Sequence, residues 1–275
     1  MYSDTSKKSL SRPVTLSRLQ EMKRNDEKFT CLTSYDATFT HVMNEAGVET
    51  ILVGDSLGMV IQGQDSTLPV SMDDMCYHIA AVKRGNTNAF IISDMPFMSY
   101  SKPEQALDNA ARLMQAGANM VKLEGGSWLT DTVRLLSQRG IPVCAHLGLT
   151  PQSVHKFGGY KVQGRGDDAA NSIKKESIEL VNAGADVLLY ECIPTALAKD
   201  ITDAVDVPTI GIGAGPHTDG QVLVLHDMLG INLGRRPRFV KNFLSGDRSI
   251  QMAFEAYVDE VKNQTFPAQE HSFES

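Results

Sequence analysis

The sequence has only four cysteines among its 275 residues, and no two of them form a Cys-X-X-Cys pair. This distribution argues against a disulfide framework or a thiolate zinc site and favours reduced thiols in a cytosolic protein. No apolar run approaches the ~20 residues that a membrane span needs, and the first residues lack the apolar segment of a secretory signal peptide. We therefore expect a cytoplasmic protein with no membrane partner.

Basic residues are also in short supply. Aspartate and glutamate outnumber lysine and arginine by 33 to 26, which gives a net charge of −7. Nucleic-acid binding relies on a basic surface that displaces counterions, so the sequence argues against a nucleic-acid partner. No linker or compositional break divides the chain. We expect one domain over residues 1–275, with a flexible tail at 1–13 and an N-terminal helix at 14–26.

A strand–helix pattern repeats along the chain from about residue 29 to residue 225. In each unit a helical stretch ends at a glycine, a short apolar run follows, and the run ends at a polar side chain. Glycine ends helices because it adopts the left-handed conformation, and short aliphatic runs without alternation are typical of strands covered on both faces. The predicted strands are residues 29–33, 50–53, 89–92, 120–123, 142–145, 187–190, 207–211 and 222–225.

This alternation of strands and helices specifies a parallel sheet, and eight strands in a chain of this length close a (β/α)8 TIM barrel. An open doubly wound sheet is the alternative. An amphipathic helix at 15–24 precedes the first strand and is a candidate to close the bottom of the barrel. A last helix is expected at 254–261, followed by a tail at 264–275.

Two helix starts carry N-capping signals. Ser71 is followed three residues later by Asp74, and Ser101 stands shortly before Pro103 and Glu104. A serine with an acidic residue three positions later is typical of a capping box, and proline is favoured in the first helical turn. Each serine is therefore predicted to cap the helix that follows it.

Polar residues end five consecutive predicted units, where a (β/α)8 barrel places its active site. They are Asp55, Asp94, Glu124, His146 and Glu191. An acid in this position can instead cap the following helix, and this alternative is open for each acid taken singly. Four carboxylates at one mouth, however, repel by about 4 kcal/mol per pair at ~4 Å and an effective dielectric of 20. They require a cation or added protons, and all-oxygen ligands favour Mg2+ first and Mn2+ second.

The neighbours of Lys122, Glu191 and His146 indicate the chemistry of each of these side chains. Lys122 and Glu124 are two residues apart and face the barrel interior together. Lys122 has three possible roles: pairing with acids and an anionic substrate, Schiff-base chemistry, or a structural pair with Glu124. Flanking carboxylates keep a lysine protonated and favour the first. The apolar neighbours of Glu191 raise its pKa, as a general base requires, whereas His146 is open between substrate contact and a core role.

Three glycine-rich or long segments remain. Residues 211–215 contain three glycines after the seventh strand and suit either phosphate binding or tight turns. Residues 148–166 are too long and glycine-rich for a plain connection, which indicates a binding loop or lid. Residues 54–68 form a second long loop.

Six long motifs occur in order along nearly the whole chain. They are GDSLGMVIQGQDSTLPV at 54–70, SDMPFMSY at 93–100, AGANMVKLEGG at 116–126, AHLGLTPQSVHKFGGYKVQGR at 145–165, LLYECIP at 188–194 and GIGAGPHTDGQVLVLHDMLG at 211–230. Together they resemble the ketopantoate hydroxymethyltransferase family. The resemblance implies a barrel of the phosphoenolpyruvate mutase/isocitrate lyase type, assembled as a homodecamer.

The resemblance also implies a reaction and a set of roles. The family transfers a hydroxymethyl group from 5,10-methylenetetrahydrofolate to 3-methyl-2-oxobutanoate, giving 2-dehydropantoate and tetrahydrofolate in pantothenate biosynthesis. By motif match, Asp55, Asp94 and Glu124 surround Mg2+. Asp55, Ser56, Asp94 and Lys122 contact the 2-oxo acid. Glu191 accepts the proton whose removal gives a Mg2+-stabilised enolate.

Two other function classes are weighed against this one. A Mg2+-dependent lyase of the same barrel group would act without folate, and its cysteine-using members carry a catalytic cysteine in a loop after a strand. No such motif is found, since Cys192 is flanked by apolar residues. A non-catalytic sensor of the 2-oxo acid or of folate would bind without turnover.

Overall fold

The computed structural model describes residues 10–231, Gly234 and residues 236–274. Eight parallel strands form a closed barrel in chain order, and the last strand pairs with the first. The strands are β1 (Phe29–Thr33), β2 (Thr50–Val53), β3 (Phe90–Asp94), β4 (Met120–Glu124), β5 (Val143–Gly148), β6 (Val187–Glu191), β7 (Thr209–Ile212) and β8 (Gly220–Leu223). The predicted (β/α)8 barrel is confirmed and the open sheet is wrong. The eighth strand begins two residues earlier than predicted.

Helices alternate with the strands and surround the barrel. They are α1 (Leu16–Arg24), α2 (Ala37–Glu45), α3 (Leu57–Val60), α4 (Met72–Gly85), α5 (Pro103–Ala116), α6 (Thr130–Gln138), α7 (Val154–Phe157), α8 (Asp167–Ala183), α9 (Thr195–Ala204), α10 (Leu225–Met228) and α11 (Ile250–Lys262). Within the described ranges, none of these helices has the length and apolarity to cross a lipid bilayer. Residues 1–9 of the predicted N-terminal tail lie outside the described residues.

Alternate residues of the strands fill the barrel interior. Phe29 and Cys31 of β1 belong to one buried apolar cluster, together with Phe90 and Ile92 of β3. The members of this cluster from the later strands are Met120, Cys144, Val187, Leu189, Ile210, Ile212 and Val222. Helix α1 adds Leu19 and Met22 to the same cluster, so it covers one end of the barrel, as the sequence predicts. The opposite end is left to the polar side chains that follow the strands.

The segment after α11 packs against the barrel. The backbone N–H of Thr195 donates to the carbonyl of Phe273 at 2.9 Å, and Phe266 and His271 are buried. The ring of Phe266 lies 5.4 Å from that of Phe243. The predicted tail at 264–275 is therefore a packed segment as far as Phe273. Its contacts are distant in sequence, so no local pattern indicates them.

One of the two predicted N-caps is confirmed and the other is wrong. The Ser71 hydroxyl accepts from the Asp74 N–H at 3.1 Å, and the Asp74 carboxylate accepts from the Ser71 N–H at 2.9 Å. At α5 the N-cap is Lys102, which is extended and makes no side-chain capping bond. A residue that precedes proline is driven to extended backbone, so Lys102 takes the cap position and Ser101 lies one residue outside the helix.

These two serines form a matched pair for a stability test. We expect Ser71→Ala to lower the free energy of unfolding by about 0.5–2 kcal/mol, because it removes a helix cap. Ser101→Ala should change it by less than about 0.5 kcal/mol, as an exposed substitution away from a cap does. Urea denaturation followed by circular dichroism measures both. Equal losses in the two variants would contradict this assignment of the caps.

Candidate active site

The polar residues at or near the carboxyl ends of β2 to β6 meet in one cavity. The cavity has a volume of about 950 Å³. Its lining includes Asp55, Ser56, Asp94, Lys122, Glu124, His146 and Glu191. The structure therefore brings together every residue that the sequence predicts for the site. The roles assigned to these residues stay predictions.

The register of the sheet explains why these side chains converge. Asp94 of β3 is paired with Lys122 of β4, and Glu124 of β4 is paired with His146 of β5. Neighbouring strands lie about 4.8 Å apart, and residues two apart share a face. Lys122 and Glu124 therefore project into the barrel together, with Asp94 and His146 beside them.

Lys122 is the cation of the cluster. Its Nζ lies 2.8 Å from Asp94 Oδ1 and 3.8 Å from Glu124 Oε1, and only 4% of the side chain is exposed. Burial by itself would lower the pKa of Lys122, but the charges of Asp94, Glu124 and Asp55 raise that pKa above its ordinary value. The amine is therefore protonated, which favours charge pairing over Schiff-base chemistry. Asp94, rather than Glu124, is its nearer partner.

Asp55 has no cationic partner at hydrogen-bond distance among the described residues. Its backbone N–H donates to Asp94 Oδ2 at 2.9 Å, and its Oδ2 accepts from Gln152 Nε2 at 2.8 Å. Gly54 permits this close approach, since a Cβ there would lie 2.8 Å from Ser56 Oγ and 3.4 Å from Asp94 Oδ2. Burial, and then the charges of Asp94 and Glu124, raise the pKa of Asp55 well above its ordinary value. The protein thus concentrates negative charge here that a bound cation would stabilise.

Ser56 is held by Tyr35, which lies between β1 and α2. The Ser56 Oγ lies 2.9 Å from the hydroxyl of Tyr35, and the backbone carbonyl of Tyr35 lies 2.7 Å from His78 Nδ1. Tyr35 is buried, whereas Ser56 is partly exposed to the cavity. The serine hydroxyl is thereby oriented beside the carboxylates.

Glu124 is a buried carboxylate whose charge is supported by its neighbours. Burial would raise its pKa, but the hydrogen bond from His146, the charge of Lys122 and the N–H of Gln152 together lower the pKa of Glu124. The Gln152 N–H donates to Glu124 Oε2 at 2.9 Å. Glu124 is therefore ionised under conditions in which buried carboxyls commonly take up a proton.

His146 connects the carboxylate cluster with Glu191. Its Nδ1 lies 3.1 Å from Lys122 Nζ and 3.4 Å from Glu124 Oε1, while its Nε2 lies 3.5 Å from Glu191 Oε2. Burial and the charge of Lys122 lower the pKa of His146, so the ring is neutral at neutral pH. His146 is thus part of the site rather than a histidine of the apolar core.

Glu191 has the raised pKa that its apolar neighbours predict. Burial, followed by the charge of Glu124, raises the pKa of Glu191 to about 8. The backbone around it is tight: Gly148 has a φ of +89°, and a Cβ at this position would lie 2.4 Å from the Glu191 carbonyl oxygen. Cys192, directly after it, has a φ of +49°. A carboxyl with this pKa can exchange a proton near neutral pH.

The predicted loops contribute to the same cavity. The segment 148–166 contains α7 and supplies Tyr160 and Val162 to the lining, and the segment 54–68 contains α3 and supplies Met59. Gly213 and Gly215 have φ values of +61° and +76°, so these two glycines occupy tight turns, whereas Gly211 lies within β7. No described contact tests the phosphate alternative for them.

Gln152 and Tyr100 are the functional residues that sequence reasoning missed. Gln152 Nε2 donates to Asp55 Oδ2 and, at 3.0 Å, to the carbonyl of Met95. The Tyr100 hydroxyl donates to Gln152 Oε1. Neither residue ends a strand or carries a charge, so no periodic pattern singles it out. Their only signal is their position inside two of the six motifs.

The donor set of the site fits a hard divalent ion. Among the described residues, no group of three or more histidine, cysteine, aspartate or glutamate side chains is arranged to hold a metal by itself. Mg2+ does not need such a cage, because it is bound by one or two carboxylates and keeps several waters. Asp55 offers a buried carboxylate whose Oδ1 makes no hydrogen bond within the described residues. The residues present therefore fit Mg2+, and the three-carboxylate set of Asp55, Asp94 and Glu124 stays a prediction.

Comparison with solved structures defines the class of barrel. A putative phosphonomutase from Burkholderia cenocepacia J2315 superposes with a TM-score of 0.62 at 15% identity, covering 78% of this chain and 95% of that one. 2,3-Dimethylmalate lyase, a member of the PEP mutase/isocitrate lyase superfamily, gives 0.57 at 16% identity, with 77% and 81% covered. Phosphonopyruvate hydrolase in complex with oxalate and Mg2+ gives 0.59 at 12% identity, with 77% and 81% covered. The protein has the fold of this superfamily.

Comparison of sequences defines the family. The model of the ketopantoate hydroxymethyltransferase family matches residues 13–269. The 3-methyl-2-oxobutanoate hydroxymethyltransferase of Marinomonas sp. (strain MWYL1) is 77% identical over the full length of both chains. The 3-methyl-2-oxobutanoate hydroxymethyltransferase 2 of Hahella chejuensis (strain KCTC 2396) is 61% identical over 94% of this chain and 98% of its own. The chain belongs to the ketopantoate hydroxymethyltransferase family.

Proposed function

We propose that the protein transfers a hydroxymethyl group from 5,10-methylenetetrahydrofolate to 3-methyl-2-oxobutanoate, giving 2-dehydropantoate and tetrahydrofolate in pantothenate biosynthesis. The names of relatives that match nearly the whole chain support the acceptor. The observation that carries the proposal is Glu191, a largely buried carboxyl whose pKa burial raises to about 8, in one cavity with Asp55, Asp94 and Glu124. A cytoplasmic homodecamer is part of the same proposal.

Asp55, Asp94 and Glu124 would hold Mg2+ in this reaction. When bound, the ion supplies Lewis-acid polarisation of the ketone oxygen of the 2-oxo acid, which acidifies the neighbouring C3–H. The acids meet the preference of Mg2+ for oxygen ligands. A protein of the same fold crystallised with oxalate and Mg2+, which is consistent with a small carboxylate and this ion sharing such a barrel.

The side chains of the cavity would bind the substrate and remove its C3 proton. Ser56 and Lys122 would bind the substrate carboxylate, since a hydroxyl and an ammonium both donate to an anion. Glu191 would take the C3 proton in its ionised form, leaving an enolate whose C3 forms the new bond to the one-carbon unit of the folate. Water would supply the hydroxyl oxygen of the hydroxymethyl group, and both C–N bonds of the one-carbon unit would break to release tetrahydrofolate. The two protons of water and the proton taken by Glu191 would end on the new hydroxyl and on the two folate nitrogens. The cavity of about 950 Å³ is at the upper end of ligand sites, which leaves room for a second substrate beside a five-carbon acid.

Chelation of the metal tests this proposal at its first chemical step. We expect EDTA to reduce deuterium exchange at C3 of 3-methyl-2-oxobutanoate by at least about 10²-fold, because Lewis-acid activation supplies several kcal/mol. Added Mg2+ should restore exchange without folate. Proton NMR in D2O follows the exchange. Undiminished exchange in EDTA would show that the metal has no part in proton removal.

Formation of 2-dehydropantoate gives the second arm of the same experiment. It should require 5,10-methylenetetrahydrofolate as well as Mg2+. Cleavage of isocitrate-like acids without folate would instead indicate a lyase. Binding of the 2-oxo acid with neither exchange nor product would indicate a sensor.

A further inference from the structure

Gln152 is a buried amide that contacts two of the three predicted metal-binding carboxylates. It lies in a 3-10 turn (Pro151–Ser153) directly after β5, and 7% of it is exposed. Its Nε2 donates to Asp55 Oδ2 at 2.8 Å, and its backbone N–H donates to Glu124 Oε2 at 2.9 Å. One residue thus joins the ends of β2 and β4.

The orientation of the Gln152 amide is fixed by Tyr100. The Tyr100 hydroxyl donates to Gln152 Oε1, and the second Nε2 hydrogen is used by the carbonyl of Met95 at 3.0 Å. Both amide hydrogens and the amide oxygen therefore have partners. A flipped amide would turn its oxygen toward the Asp55 carboxylate and the Met95 carbonyl. Tyr100 is itself buried, and its ring stacks on Trp128 with 6.1 Å between centroids.

The neutrality of this amide matters for the charge of Asp55. Lys122 compensates Asp94 and Glu124 at 2.8 and 3.8 Å. Asp55 instead receives a neutral donor at Oδ2, while its Oδ1 makes no hydrogen bond within the described ranges. A neutral donor fixes the carboxylate and leaves its negative charge uncompensated. Asp55 is thereby held in one orientation with one oxygen free for a cation.

We propose that the side-chain amide of Gln152 positions the Asp55 carboxylate for binding of a divalent cation, beside the Glu124 carboxylate that the Gln152 backbone N–H holds, and that Tyr100 acts through Gln152 by fixing its amide. This inference rests on the metal site of the proposed function. Residues that orient metal ligands typically change metal affinity by about 10–100-fold when they are replaced. An effect of this size separates a positioning role from a role in packing alone.

Metal binding in the absence of substrate tests the proposal without relying on turnover. Mn2+ binding to the full-length protein is measured by electron paramagnetic resonance for wild type, Gln152→Leu, Gln152→Asn and Tyr100→Phe. We expect both Gln152 variants to raise the Kd about 10–100-fold and Tyr100→Phe to raise it less. Gln163→Leu is the matched control, since Gln163 lies in the same loop and its side-chain amide donates, within the described residues, only to the carbonyl of Lys161. Its Kd should equal that of wild type.

The thermal midpoint in EDTA separates loss of metal affinity from loss of fold. The asparagine variant keeps a polar side chain but is one methylene too short to reach Asp55, so it carries the test if the leucine variant unfolds. A wild-type Kd in folded Gln152→Asn would overturn the role of Gln152 while leaving the metal site intact. Failure of wild type itself to bind Mn2+ would overturn both the metal site and this inference.

A double-mutant cycle tests the part assigned to Tyr100. If Tyr100 acts through the amide, Tyr100→Phe should add nothing further to the Kd of Gln152→Leu, because coupled residues are not additive. A full additional loss in the double variant would overturn that route and assign Tyr100 an independent effect on Glu124. The same measurement in buffer with Mg2+ as competitor checks that both ions use one site.

Discussion

Glu191→Gln is expected to reduce deuterium exchange at C3 of 3-methyl-2-oxobutanoate by about 10²–10⁴-fold, the usual contribution of a general base. The amide keeps the size of the side chain and its place beside His146 Nε2, 3.5 Å away in the wild type, but it cannot accept the proton. Metal and substrate affinity should change little, because Asp55, Asp94 and Lys122 are untouched. Exchange is measured by proton NMR and Mn2+ binding by electron paramagnetic resonance.

The pH dependence of deuterium exchange is a second test of Glu191 as the general base. Burial favours the neutral carboxyl and raises the pKa of Glu191 to about 8, so the ionised base becomes populated as pH rises. We therefore expect exchange to increase with pH and to level off above a midpoint at or below about 8, since a bound cation lowers the pKa of a nearby carboxyl. The residual activity of Glu191→Gln should lack this rise.

The matched control is Glu104→Gln, the same change at an exposed position in the first turn of α5. It should exchange at the wild-type rate. Exchange at the wild-type rate in Glu191→Gln would show that another group removes the proton. His146 would then be the first candidate for the base. Because burial lowers the pKa of His146, exchange that depends on His146 would rise at a lower pH than exchange that depends on Glu191.

The sequence predicts the barrel and most of the mouth because both depend on local repetition. Strand runs such as 120–123 and helix-ending glycines such as Gly117 recur at regular spacing, and the residue after each run faces the mouth by the geometry of a parallel barrel. Glu124 and Lys122 follow from the two-residue period of a strand. Convergence of the acids in one cavity is the structural consequence, and it is confirmed.

The parts that the sequence does not predict depend on contacts between distant segments. Gln152 reaches Asp55 across 97 positions, and an uncharged amide in a loop leaves no periodic trace. Phe273 enters the cavity lining from the predicted C-terminal tail, for the same reason. The wrong N-cap at Ser101 has a local cause, since the restriction that Pro103 places on Lys102 shifts the helix start by one residue.

Metal binding depends on how far the protein itself compensates the charge of each acid. The sequence predicts three acids at one end of the barrel. How strongly they attract a cation depends on how much of their negative charge Lys122 already compensates. Asp94 lies nearest to this lysine, at 2.8 Å, whereas in the part of the chain that the structure describes the side chain of Asp55 receives a hydrogen bond only from the neutral Gln152. Of the three, Asp55 is thus the carboxylate least compensated by the protein itself.

Lys122→Met is expected to lower the stability of the protein in EDTA by about 3–5 kcal/mol, the cost of leaving buried charges without their partner. Methionine keeps the unbranched stem but removes the ammonium that lies 2.8 Å from Asp94 and 3.8 Å from Glu124. For a domain of this size the loss corresponds to a thermal midpoint lower by roughly 6–20 °C. Differential scanning calorimetry at neutral pH measures it.

The response of this stability loss to pH and to Mg2+ distinguishes unpaired carboxylate charge from a packing defect. The loss should shrink as pH falls, because a protonated Glu124 no longer repels its neighbours. It should also shrink when Mg2+ is added, because an ion that binds the folded state stabilises it. Lys175→Met, at an exposed lysine 3.7 Å from Glu179, should leave the midpoint nearly unchanged. If the loss in thermal midpoint of Lys122→Met relative to wild type changed with neither pH nor Mg2+, lost packing rather than unpaired carboxylate charge would be the cause.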